Sequence, residues 1–157
     1  VGYQDQIIAS YGGFNRIIFN KNSSYTVKPI VIPKNRLKKL ESNLMLFFTG
    51  FSRFSSDITE KHINNIKKNN KVLDAMYGLV EDSINLLQSE RDISDFGNLM
   101  NETWNLKKTL SDSVSTKDID VIYSKGIKSG AIGGKILGAG GGGFILFYVN
   151  LQQNLLF

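Results

Sequence analysis

An α+β fold, with helices laid on one face of an antiparallel sheet, is what the 157-residue sequence predicts, and three features carry that prediction. Between Ile58 and Gly130, apolar residues recur three and four apart, the period of amphipathic helices. The runs NLMLFFTG and FILFYV instead have the near-continuous apolar composition of strands. GGKILGAGGGGFILFYV, from Gly133 to Val149, places seven glycines around a short apolar run and leads into another, so the order reads strand, helices, strand, tight loop, strand.

The elements follow in chain order. QDQIIASYGG (Gln4 to Gly13) opens polar, continues with helix-compatible residues and ends on a glycine pair, as a short helix with a glycine C-cap does. FNRIIF and YTVKPIVI flank the turn-forming NKNSS and predict a hairpin, with Pro29 confining the second strand to an edge or ending it early. Pro33 stands where a helix can begin, ahead of the basic KNRLKKLES. NLMLFFTG (Asn43 to Gly50) reads as a buried strand and FSRFSSD as a loop. A long amphipathic helix is predicted from about Ile58 to Leu87, bent near Gly78, and a second from Ser94 to Thr109, weakened by Gly97. Ser115 and Asp118 have capping-box spacing before a third helix, whose Ile119, Ile122, Tyr123 and Ile127 share a face before Gly130 ends it.

Composition narrows the function classes. The net charge of +5 suits an anionic ligand such as a sugar phosphate or ATP, and equally nucleic acid. With no Cys there is neither a disulfide framework nor a thiolate metal site, and with His62 as the one imidazole, a zinc enzyme or a His-dependent triad is not expected. His62 reads as a surface residue of the long helix. No apolar stretch approaches the roughly 20 residues of a membrane span, so a soluble cytoplasmic protein is expected.

The glycine run is the sharpest local signal. Gly138, Gly140 and Gly143 formally fit the dinucleotide fingerprint G-x-G-x-x-G, but that fingerprint needs a helix directly after it, and FILFYV is strand-like. A Walker A loop fails as well, because Lys135 is followed by Ile136 rather than Ser or Thr. A plain two-residue hairpin turn needs one or two glycines. Four in a row bare a whole loop of side chains, which favours a loop whose N–H groups meet a bulky anion or a second backbone.

These residues carry a family resemblance. GGKILGAGGGGFILFYV resembles the third, C-terminal motif of the GHMP small-molecule kinases, and GYQDQIIASYGGFN resembles the segment in which sugar kinases of that family carry a catalytic aspartate. GYQDQ, TGFSR, WNLKKTLSDSVS and GAIGGKILGAGGGG occur in the order associated with the heptose 7-phosphate kinase branch, and the resemblance extends to Val149. It implies an ATP- and Mg2+-dependent phosphotransferase acting on the anomeric hydroxyl of a sugar phosphate, D-glycero-D-manno-heptose 7-phosphate in that branch. It further implies that residues 1–32 are the last part of the family's N-terminal domain. Residues 33–157 then form a ferredoxin-like C-terminal domain, truncated at its end. The family's Gly/Ser-rich ATP loop and its N-terminal sugar-binding motif have no counterpart here, so the isolated chain is expected to be inactive.

By the resemblance Asp5 orients or deprotonates the acceptor hydroxyl, while Gly138, Ala139, Gly140, Gly141, Gly142 and Gly143 line the phosphate side of the cleft. At the first turn of a helix, the dipole would hold Asp5 anionic, as a proton acceptor requires. Gln4, Gly12, Gly13, Arg53, Lys107 and Lys135 are substrate-binding candidates. Arg53 suits a bidentate phosphate clamp, and of the adjacent Lys107 and Lys108 only one can face inward. Trp104 reads as core, and no metal ligand is assigned. Galactokinase- or fucokinase-type activity, or a non-catalytic ferredoxin-like ligand-binding domain, are the alternatives. Nucleic-acid binding through KHINNIKKNNK is not favoured, since its lysines lack an aromatic platform, and no membrane partner is expected. Oligomerisation through an exposed sheet edge is open.

Overall fold

The computed structural model describes residues 3–51 and 69–150. Arg53, His62, the first part of the long helix predicted from about Ile58, and the residues after Asn150 lie outside that description. The N-terminal segment forms helix α1 (Tyr3–Tyr11), closed at Gly12, whose N–H reaches the Ile8 carbonyl at 2.8 Å. Strands β1 (Asn15–Phe19) and β2 (Tyr25–Pro29) then pair antiparallel, with Asn15 opposite Pro29 and Phe19 opposite Tyr25. Pro29 both ends β2 and sits in a two-stranded sheet where each strand is an edge, so its missing N–H disturbs no inner ladder.

Helix α2 (Lys34–Ser42) starts directly after Pro33 and leads into β3 (Leu44–Phe48). Helices α3 (Asn70–Gln88), α4 (Asp95–Lys108) and α5 (Lys117–Lys128) follow, then β4 (Ala131–Ile136) and β5 (Phe144–Val149). Gly78 lies inside α3 without interrupting it. The cap of α5 is Thr116 rather than Ser115: its hydroxyl accepts from the Ile119 N–H at 3.3 Å, while Ser115 donates to Asp120. Both residues are eligible caps by type, and the extended backbone at Thr116 decides between them.

The second sheet has the order β3-β5-β4, antiparallel throughout. Alternate residues of its central strand enter two clusters. Ile145, Phe147 and Val149 pack with Trp104, Ile119 and Tyr123, whereas Tyr148 packs with Leu40, Leu87, Ile93 and Met100. β5 is therefore covered on both faces, where the sequence suggests helices on one. Gly97, which weakens α4 by propensity, is the place where α4 meets the sheet: a methyl there would lie 2.9 Å from Ile132 and 3.1 Å from Tyr148. Packing overrides propensity at this point.

β3 departs from expectation. Its apolar run predicts a buried strand, yet Met45, Leu46, Phe47 and Phe48 are 45 to 56% exposed. β3 pairs on one side only, with β5, so among the described residues its edge and much of both faces lack cover. Elsewhere polar contacts tie the elements together. Arg16 of β1 pairs with Glu81 of α3, and Arg36 of α2 donates to the Leu86 and Leu87 carbonyls at 2.6 and 3.1 Å, satisfying the last turn of α3.

Candidate phosphate-side site

The site is built where α4 meets β4. Gly133 has no room for a side chain, since a Cβ would stand 1.9 Å from the Gly97 carbonyl oxygen, so strand and helix backbones touch directly. That close approach brings the C-terminal turn of α4, carrying Lys107, to the end of β4. The strand carries Lys135 two residues before the loop, and residues 137 to 143 then turn the chain into β5.

Hydrogen bonds at three of its residues, Leu137, Gly141 and Gly143, hold the loop from behind. The Leu137 N–H bonds the Phe144 carbonyl at 2.8 Å, which closes the hairpin, and the Gly141 N–H bonds the Val114 carbonyl at 2.8 Å. Gly143 donates to the Phe51 carbonyl at 2.8 Å and accepts from the N–H and hydroxyl of Thr49 at 2.9 and 2.8 Å. Thr49 is a buried polar residue, and this bond, with a second hydroxyl contact to Phe51 at 3.0 Å, accounts for its burial. Gly140 explains one glycine of the run. Its φ is +107°, outside the range of L side chains, and a Cβ would lie 2.7 Å from the Val114 carbonyl oxygen.

The front of the loop is different. Among the described residues, the N–H groups of Gly138, Ala139, Gly140 and Gly142 have no hydrogen-bond acceptor. Two ammonium groups accompany these donors. Lys107 Nζ donates to the Gly138 carbonyl at 2.5 Å and lies 3.4 Å from that of Ile136. Its pKa is pushed down to about 8, first by burial and then by the charge of Lys135, and burial lowers Lys135 as well. No carboxylate among the described residues forms an ion pair with either. Lys108 turns away and lies over the Trp104 ring, 5.7 Å from its centroid, so one of the two adjacent lysines faces inward, as helical geometry requires.

The remaining candidates stand apart. Asp5 and Gln4 are exposed on α1, and Gly12 and Gly13 turn the chain from α1 into β1. Among the described residues, no hydrogen bond or ion pair joins α1 to the glycine loop. A 450 Å³ cleft beside α1 is lined by Gln6, Ser10, Ser23 and Tyr25, and Asp5 is not in its wall. A second concavity, of about 580 Å³, is an apolar groove between Met45, Phe47, Phe147 and Ile122, and it does not include the loop. Trp104 is fully buried in the core. Sequence reasoning missed Val114 and Thr49, which back the loop; an isolated Thr closing an apolar strand just before Gly50 is the signal that could have found one of them.

Comparison with known proteins places these features. The family profile of the GHMP kinases C terminal matches residues 74–153, which include the glycine loop and both lysines. The chain is 34% identical, over 151 residues, to the D-glycero-alpha-D-manno-heptose 7-phosphate kinase of Campylobacter jejuni, covering 95% of this chain and 44% of that protein. Among solved structures, a D-glycero-D-manno-heptose 1-phosphate kinase from Bacteroides thetaiotaomicron superposes with a TM-score of 0.55 at 27% identity, over 98% of this chain and 40% of the other. The L. major mevalonate kinase in complex with R-mevalonate shares the fold, with a TM-score of 0.73 at 22% identity over 96% of this chain and 44% of the other. The chain thus spans under half the length of these proteins. With more than half of its residues matching the family's C-terminal domain, and the glycine hairpin where the resemblance puts it, the chain belongs to the GHMP kinase family.

Proposed function

We propose that the chain is part of an ATP-dependent sugar kinase acting on the anomeric hydroxyl of a heptose 7-phosphate. The observation that carries this reading is the glycine hairpin, in which, among the described residues, four N–H groups lack acceptors beside two lysines that lack carboxylate partners. Such a donor set fits a phosphate group, which spreads negative charge over several oxygens. The 34% identity to a heptose 7-phosphate kinase supports the acceptor class. ATP supplies the phosphoryl group when bound, and Mg2+ supplies charge neutralisation.

In this reading Asp5 takes the proton of the acceptor hydroxyl as its oxygen bonds to phosphorus, and the bond from that phosphorus to the ADP oxygen breaks. Phosphoryl transfer depends chiefly on positioning and charge stabilisation, which a rigidly backed loop and two cations provide. The test is phosphotransfer by the protein expressed from its complete gene. Asp5→Asn is expected to lower kcat by about 100-fold or more, with little change in nucleotide affinity. Wild-type turnover in that variant would remove Asp5 from the mechanism.

A further inference from the structure

Lys107 does something that a lysine in the last turn of a helix rarely does. Such residues ordinarily reach solvent, as long charged side chains prefer. Lys107 is half-buried instead, and its ammonium spans the carbonyls of Ile136 and Gly138, which bracket Leu137 at the exit of β4. One side chain of α4 thereby fixes where the strand ends and the loop begins. An ammonium has three N–H donors, and these contacts use two.

We propose that Lys107 is a positioning residue that latches the glycine loop to α4, and that Lys107 and Lys135 together form a cation pair whose counter-charge is a phosphate group of a bound ligand. The identity of that ligand rests on the kinase reading; the latch does not. Among the described residues, the groups facing Lys107 are few. β4 presents the Lys135 ammonium, the loop presents carbonyls and free N–H groups, and Lys108 on α4 itself points to Trp104. Burial lowers the pKa of both, and repulsion from the Lys135 charge adds to the lowering of Lys107, neither having a carboxylate partner among the described residues. A phosphate dianion removes that repulsion and restores the proton, so binding near pH 8 takes up protons. By linkage, affinity then falls as pH rises through 8, because the free site must regain a proton before it binds.

The experiment uses protein from the complete gene, with sulfate as a dianion whose own charge is constant between pH 7 and 9.5, and with hydrogen exchange reporting on the peptide 137–143. In the wild type, sulfate affinity is expected to fall about 10-fold between pH 7.5 and 9.5. Lys107→Gln is expected to speed exchange in the loop and to weaken sulfate binding, leaving it nearly independent of pH. Lys107→Arg, which keeps a charge over the whole range, is expected to restore slow exchange and binding without the fall above pH 8, and it controls for folding. Unchanged loop exchange in Lys107→Gln overturns the latch. Faster exchange with wild-type sulfate affinity overturns the cation pair. Competition by ADP assigns the phosphate to the nucleotide, and competition by a sugar phosphate alone assigns it to the acceptor. If sulfate binds as described but neither competes, the latch stands and the kinase reading fails.

Discussion

Replacing Gly140 by Ala probes how the loop is held, and its cost can be worked out from two separate features. The backbone there has φ +107°, beyond the left-handed region that a side chain tolerates, which costs about 1 to 2 kcal/mol. The added methyl would also stand 2.7 Å from the Val114 oxygen and 3.1 Å from its Cα, atoms of a backbone fixed by the bond from Gly141. Overpacking of that kind adds about 1 to 3 kcal/mol. Gly138→Ala is the internal control. Its φ is +64°, within the left-handed region, and its Cβ would meet nothing within 4 Å, so only the first cost, of about 1 kcal/mol, applies. Gly140→Ala is therefore expected to destabilise by about 2 to 5 kcal/mol, and by at least about 1 kcal/mol more than Gly138→Ala. Equilibrium urea unfolding of both variants measures the difference through the shift of midpoint at constant slope. Equal midpoints would refute the claim that the Val114 backbone rigidly backs the loop.

Two further substitutions test the frame of the site. Gly133→Ala places a methyl 1.9 Å from the Gly97 oxygen, so α4 must move off β4; a loss of about 3 kcal/mol or more is expected, together with faster hydrogen exchange in the Lys107 turn, and a near-neutral unfolding midpoint would contradict the direct backbone contact. Thr116→Ala removes the N-cap of α5 and is expected to cost about 1 kcal/mol by thermal or urea unfolding, whereas Ser115→Ala costs less; the reverse order would return the cap to Ser115.

Much of this arrangement was legible in the sequence, for identifiable reasons. The glycine hairpin could be separated from a dinucleotide fold because FILFYV cannot open a helix, and β5 does follow the loop directly. Pro29, the glycine pair after α1, and the three-and-four spacing of Ile119, Ile122 and Tyr123 are local signals, and local structure obeys them. That just one of Lys107 and Lys108 turns inward follows from helical geometry, but which one does so depends on where α4 crosses β4. This crossing is set by Gly97 and Gly133, more than 30 residues apart. β3 misled because a continuous apolar run reports composition, not the number of neighbours a strand has. The wall behind the loop, Thr49 and Val114, comes from two distant segments that meet only in the folded chain.

The central claim, that the front of the glycine hairpin receives phosphate, is tested most directly by hydrogen exchange on the protein from the complete gene. A non-hydrolysable ATP analogue is added with Mg2+. Slowed exchange in the peptide spanning Gly138 to Gly142, whose free N–H groups would gain acceptors, is the predicted result. Saturable nucleotide binding that leaves that peptide unchanged would contradict it.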